Sequence, residues 1–145
     1  MILFSSALEL TLNNNIIMNN LIVDAARDKI FLTFILGQNI YTESHENSKI
    51  NFEKLMILIN NFLGNNKSSI NDIATIYVNR GPGSFAGIRN SLSTIKALFL
   101  TKKIDYYCFS FEDFKECDTV EYADVPHLCI KYKIKKNLIN PIYLS

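Results

Sequence analysis

The run Arg80-Gly81-Pro82-Gly83-Ser84-Phe85-Ala86-Gly87-Ile88-Arg89 joins a strand-like segment, Ile73–Val78, directly to a segment with helical spacing. It holds three of the chain's five glycines and one of its three prolines. Beyond it Ile88, Leu92, Ile95, Leu98 and Phe99 recur on one helical face. The turn therefore lies at the carboxyl end of a strand, where α/β sheets bind ligands and partners. Pro82-Gly83 suits the central pair of a type II turn, because Pro fixes φ and Gly accepts a positive one. Ser84 has the chemistry of a helix cap, and Gly87 leaves room for another backbone or a flat ligand.

Spacing excludes two nucleotide motifs. A P-loop needs Lys and Ser or Thr after its last glycine, whereas Ile88 and Arg89 follow Gly87. The dinucleotide fingerprint needs Gly-x-Gly-x-x-Gly, and Gly81, Gly83 and Gly87 leave one residue too many before the last.

Working outward, the chain reads as strands Leu21–Asp24, Lys29–Leu36 and Ile40–Glu43, with turns at Arg27-Asp28 and Gly37-Gln38-Asn39. A helix over Phe52–Leu63 follows, closed by Gly64-Asn65-Asn66 as a C-cap. Then come the strand Ile73–Val78, a helix over Phe85–Thr101, a strand at Tyr106–Phe109 and a short helix around Glu112–Lys115. Antiparallel strands followed by helix, parallel strand and helix predict an α/β, ribonuclease-H-like core of mixed sheet with flanking helices.

Composition sets limits on function. The 145 residues carry a formal charge of +1, 48% hydrophobic and 20% charged residues, as in an ordinary globular domain. Near-neutral charge supplies no broad basic field for autonomous nucleic-acid binding. Cys108, Cys117 and Cys129 are odd in number and lack paired spacing, which fits reduced thiols and a cytoplasmic location. Residues 1–20 have no basic n-region, and Glu9 interrupts their apolar stretch. They are expected to be an N-terminal extension, either a start-site artefact ahead of Met18 or a tail on the core.

The signature run resembles that of the TsaB (YeaZ) family, which usually reads Gly-Pro-Gly-Ser-Phe-Thr-Gly-Leu-Arg. Leu21-Ile22-Val23-Asp24-Ala25-Ala26 is similar to that family's opening strand, and Asn140-Pro141-Ile142-Tyr143-Leu144-Ser145 to its closing segment. Asp124-Val125-Pro126-His127-Leu128 resembles the start of its final helix. The resemblance implies the actin-like ATPase superfold with a truncated second lobe. The expected domains are 1–20 as extension, 21–116 as ribonuclease-H-like domain, and 117–145 as second-lobe remnant with a final helix and C-terminal strand.

It also implies a function. Family members are non-catalytic subunits in tRNA threonylcarbamoyladenosine modification, and they dimerise with the catalytic homologue TsaD. A TsaE-type ATPase joins the assembled pair, tRNA is reached only through the complex, and a homodimer forms when the subunit is alone. No membrane, cofactor or metal is expected. The implied partner-binding residues are Phe85, Gly87, Arg89, Ser91, Ser93, Lys96 and Ala97, held in place by the turn Gly81, Pro82, Gly83 and Ser84. The small residues Ser91, Ser93 and Ala97 could equally pack against the first helix.

Other chemistry finds little support in the sequence. Asp24 ends the first strand where actin-fold kinases place a phosphate-loop carboxylate, but Ala25-Ala26 supplies no glycine for close phosphate approach. His45 and His127 are too far apart in sequence for the His-x-x-x-His metal pair of the catalytic relative. Gly81-Pro82-Gly83-Ser84-Phe85 does not match the Gly-x-Ser-x-Gly nucleophile elbow. The competing readings are a stand-alone metalloprotease-like hydrolase or kinase of the same superfamily, and a degenerate homodimeric paralogue.

Overall fold

Alternating apolar residues build the sheet. A computed structural model describes residues 19–143, so the expected start at Met18 and the extension ahead of it lie outside the described residues. Five strands pair in the order β3-β2-β1-β4-β5. They are β1 (Asn20–Asp24), β2 (Lys29–Leu36), β3 (Asn39–Glu46), β4 (Thr75–Asn79) and β5 (Asp105–Phe109). The β1–β2 and β2–β3 pairs are antiparallel, and β1–β4 and β4–β5 are parallel. This is the mixed sheet of a ribonuclease-H-like, actin-like core. Asn19 and Asn20, assigned to the extension from sequence, belong to it: Asn20 starts β1, and the Asn19 carbonyl accepts a bond from Ala74 N–H.

The strand period of two divides the core between the sheet's faces. Leu21, Val23, Leu32 and Phe34 face the helices α1 (Lys49–Glu53), α2 (Leu55–Asn65) and α3 (Phe85–Lys102). Ile22, Tyr77 and Phe109 face a smaller layer made by Phe114 and by Val125, Leu128 and Cys129 of α4 (Val125–Lys131). That layer covers the sheet's second face.

Several local expectations change. The first helix bends at Lys54, giving α1 and α2, and α1 begins earlier than expected because Ser48 Oγ accepts from Asn51 N–H at 3.2 Å. Gly64 lies inside α2; the left-handed residue beyond it is Lys67, with φ of 60°. The Glu112–Lys115 helix is a single 3-10 turn, Phe111–Asp113, capped by Ser110 and Asp113. Residues 140–143, expected to be a closing strand, join no regular ladder. The preceding Lys136 makes one isolated bridge to Tyr107 of β5, and the Asn137 amide group bonds the Tyr106 N–H and the Asp105 carboxylate.

The signature turn is not type II. Gly81 carries the positive φ of 108°, Gly83 does not, and the Gly81–Pro82 peptide is cis. Gly83 and Gly87 are there for contact. A Cβ at Gly83 would collide with the Ala26 carbonyl oxygen, and one at Gly87 with that of Ala25. Ser84 caps α3 as expected, accepting from Gly87 N–H at 3.1 Å, and its own N–H donates to the Ala26 carbonyl at 2.8 Å.

Gly87→Ala is expected to destabilise the fold by about 1–3 kcal/mol, the range for overpacking a filled interior. Gly64→Ala, which meets open space on a helix, should instead raise stability by about 0.5–1 kcal/mol. Urea unfolding midpoints of the two variants, with unchanged slopes, check the pair.

Candidate functional site

Helix α3 has two faces because its apolar residues recur at helical spacing. Ile88, Leu92, Ile95 and Leu98 are buried against the sheet and α2. Phe85, Ala86, Arg89, Ser93, Ala97 and Leu100 form the exposed face. Phe85 is 58% exposed and Leu100 62%, so large apolar surface lies open at both ends of this face. The small side chains of Ser93 and Ala97 leave a depression between them. The result is a groove of about 400 Å³. Its helix wall is Arg89, Leu92, Ser93, Lys96, Ala97 and Leu100, and its second wall is Ile139, Pro141 and Tyr143.

Aromatic rings steer the groove's cations. The Arg89 guanidinium lies 5.8 Å from the Phe85 ring centroid, and Phe85 packs on Tyr143 at 4.7 Å. Lys96 Nζ sits 5.1 Å from the Phe99 ring. Both cations keep hydrogen-bonding capacity toward a partner, since cation–π contact engages only part of the charged group.

Of the sequence-predicted partner residues, Phe85, Arg89, Ser93, Lys96 and Ala97 come together here. Gly87 and Ser91 do not. Gly87 is buried against Ala25, and Ser91 is fully buried with Oγ donating to the Ile88 carbonyl at 3.1 Å. Ser91 is small because the interior is tight, not because a partner approaches. Gly81, Pro82, Gly83 and Ser84 hold the start of α3 and line none of the groove. Sequence reasoning missed Leu100 and the wall at Ile139, Pro141 and Tyr143. Leu100 could have been found from its spacing to Ala97 and Lys96, and the wall from its alternation of apolar side chains.

On the other face of the sheet, β1 delivers Asp24 into a closed cleft. Its Oδ1 accepts from Ala26 N–H at 3.0 Å and its Oδ2 from the Tyr122 hydroxyl at 2.6 Å. Tyr122 also accepts from Arg27 Nη1 at 3.2 Å, and the Arg27 guanidinium lies 5.5–5.9 Å from the rings of Phe31, Phe111 and Tyr122. Burial raises the Asp24 pKa, with the hydrogen bonds from Tyr122, Asn79 and Ala26 and the Arg27 charge opposing that rise. Both carboxylate oxygens are thus engaged internally.

Other reactive groups are dispersed. Burial pushes the Cys108 and Cys129 thiols up to about 11 and about 12, which keeps them protonated and unreactive. His45 Nε2 lies 2.6 Å from Glu43 Oε2 on β3, whereas His127 is on α4. Among the described residues no group of three or more His, Cys, Asp or Glu could hold a metal. Nor is any described helix long and apolar enough to cross a membrane.

This geometry has known counterparts. Residues 39–110, from β3 to just past β5, match the model of the family TsaD, tRNA N6-adenosine threonylcarbamoyltransferase. The fold is similar to YeaZ from Pseudomonas aeruginosa, with a TM-score of 0.59 at 15% identity, over 64% of this chain and 44% of that one. A second structure is described as an uncharacterized protein from Pseudomonas aeruginosa with similarity to the peptidase YEAZ. It gives the same score and identity, over 64% of this chain and 43% of its own. The chain thus spans less than half the length of these relatives. No curated protein matches the sequence. The family match covers just under half of the chain, and the likeness to YeaZ is one of fold.

The raised Asp24 pKa has a consequence for stability. The folded state holds this proton more tightly than the unfolded chain, so the group's contribution is greatest at low pH. It is lost as pH rises from about 3.8 through the raised folded value. Asp24→Asn removes the cost of ionisation while keeping an acceptor for Ala26 N–H. The variant should be at least as stable as wild type at pH 7, with an advantage that shrinks toward pH 4 (pH values on the order of the carboxylate reference). Urea midpoints across that range measure it.

Proposed function

We propose that this chain is a non-catalytic accessory subunit in threonylcarbamoyl transfer to adenosine of tRNA. It acts by dimerising with the catalytic homologue TsaD through the exposed face of α3. The observation that carries the reading is the character of the groove: open apolar surface, small residues at its centre, two cations, and no carboxylate in its lining. Small residues admit a helix at close range, and buried apolar area supplies the driving force.

Charge favours a different chain over a second copy. Two copies meeting across a two-fold axis would bring Arg89 and Lys96 against the same cations, with no lining carboxylate to offset them. A partner helix that carries Asp or Glu satisfies both. The homodimer is therefore the weaker state, and the heterodimer the functional one.

The closed cleft supports a non-catalytic role. Both Asp24 oxygens already accept internal hydrogen bonds, and the backbone of Ala25 and Ala26 is already covered by Gly87 and Gly83. Catalysis then belongs to the homologue, while this chain stabilises its active form. A TsaE-type ATPase acts on the assembled pair. With a formal charge of +1, tRNA is reached through the complex.

Arg89→Ala should weaken binding to the catalytic homologue by about 2 kcal/mol, roughly thirtyfold, as central Arg contacts do. Ser93→Leu, exposed in the free chain, should cost a further 1–3 kcal/mol (about the range for overpacking) only in the complex. Lys131→Ala on α4 should be neutral. Calorimetric titration of folded variants decides, and unchanged affinity for both groove variants would sink the assignment.

A separate expectation concerns chemistry. The chain alone should form no threonylcarbamoyladenosine in tRNA. The reconstituted pair should form it at the same rate with wild-type or Asp24→Asn chain. A loss of turnover with that variant, despite normal complex formation, would return catalysis to this subunit.

A further inference from the structure

The end of the described chain is an extended strap whose residues alternate. Ile139, Pro141 and Tyr143 face the α3 groove. Asn140 and Ile142 turn their backbones to the signature. The Asn140 carbonyl accepts from Arg80 Nη1 at 3.0 Å, and Ile142 N–H donates to the Arg80 carbonyl at 2.7 Å. Arg80 Nη2 donates to Asp113 Oδ1 at 2.8 Å, and the side chains of this pair are only 17% and 18% exposed. The Arg80 N–H bonds the Phe109 carbonyl at the end of β5. One residue thus ties together β5, the 3-10 turn after it, and the strap.

Arg80 is absent from the groove lining, yet it sets that wall. Side chains of an extended chain alternate with a period of two, so a slip of one residue would turn the three wall residues away. Arg80 prevents the slip by bonding two strap residues of the same parity, one through its side chain and one through its backbone. Gly81 allows the approach, since a Cβ there would collide with the Ile142 carbonyl oxygen.

Resting on the accessory-subunit reading above, we propose that Arg80 is a positioning residue for partner binding. It sets the strap 139–143 as the second wall of a composite surface that receives a carboxylate-bearing helix of the catalytic homologue. The carboxylate is assigned from the groove's charge, with Arg89 and Lys96 unopposed in its lining. A guanidinium is suited to the task because its planar fork serves Asp113 and the Asn140 carbonyl at once, which an ammonium cannot match.

The test uses the full chain carrying Arg80→Gln. In the free protein, amide exchange at Asn137–Tyr143 should accelerate while the core amides of α3 and β4 keep their protection. Affinity for the homologue should fall roughly tenfold or more, with Arg80→Lys intermediate. Should Arg80→Gln fail to fold, Arg80→Lys replaces it in both measurements. Tyr143→Asp then tests the wall without touching Arg80, and should also weaken binding.

Unchanged strap exchange overturns the proposal, and so does faster exchange with unchanged affinity. Tyr143→Asp binding like wild type overturns the composite surface. If Arg89→Ala weakens the complex but Arg80→Gln does not, this inference falls and the accessory-subunit reading stands. If the wild-type chain does not bind the homologue, both fall together.

Discussion

Backbone pressed on backbone is the constraint from which the rest of this molecule follows. The turn after β4 lies so close to the turn after β1 that Gly83 and Gly87 have no room for a side chain beneath the Ala26 and Ala25 carbonyls. The Ser84 N–H to Ala26 carbonyl bond fixes that approach. Because β1 and β4 are parallel neighbours, the contact also fixes where α3 leaves the sheet. The buried stripe of α3 is then committed to the core, and the opposite stripe must face outward. Its two-walled groove is a geometric result of a contact on the far side of the helix.

Much of the fold was legible because strand and helix periods differ. The β1 sequence Leu21-Ile22-Val23 and the α3 stripe Ile88, Leu92, Ile95 and Leu98 read correctly from spacing alone. Errors fell where local chemistry has more than one solution. Pro-Gly fits a type II turn, but the positive φ went to Gly81 because the strap's Ile142 carbonyl occupies the space beside it. Gly64 looked like a cap, while Lys67 took the left-handed position instead.

The site was legible only in half. Arg89, Ser93, Lys96 and Ala97, expected to meet a partner, line one groove because they lie on one helix. Ser91 was misplaced because a small residue reads the same whether it admits a partner or fills a tight interior. The strap's apolar alternation is local, but its place beside α3 depends on a contact between Arg80 and a residue 60 positions later, which no local pattern encodes. Asp24 shows the same limit, since its hydrogen-bond donor Tyr122 lies 98 residues away.

The two edges of the sheet are treated differently. At β5, the Lys136 bridge and the Asn137 amide cover part of the ladder. At β3 the outer edge is eight residues long and unpaired among the described residues, and a row of open amides and carbonyls is a template for any other extended chain. Glu43 and Glu46 place charge along that row, and the close Glu43–His45 pair puts a polar obstacle on one of its faces. Sheet-to-sheet joining, the route to aggregates, is thereby discouraged at both margins.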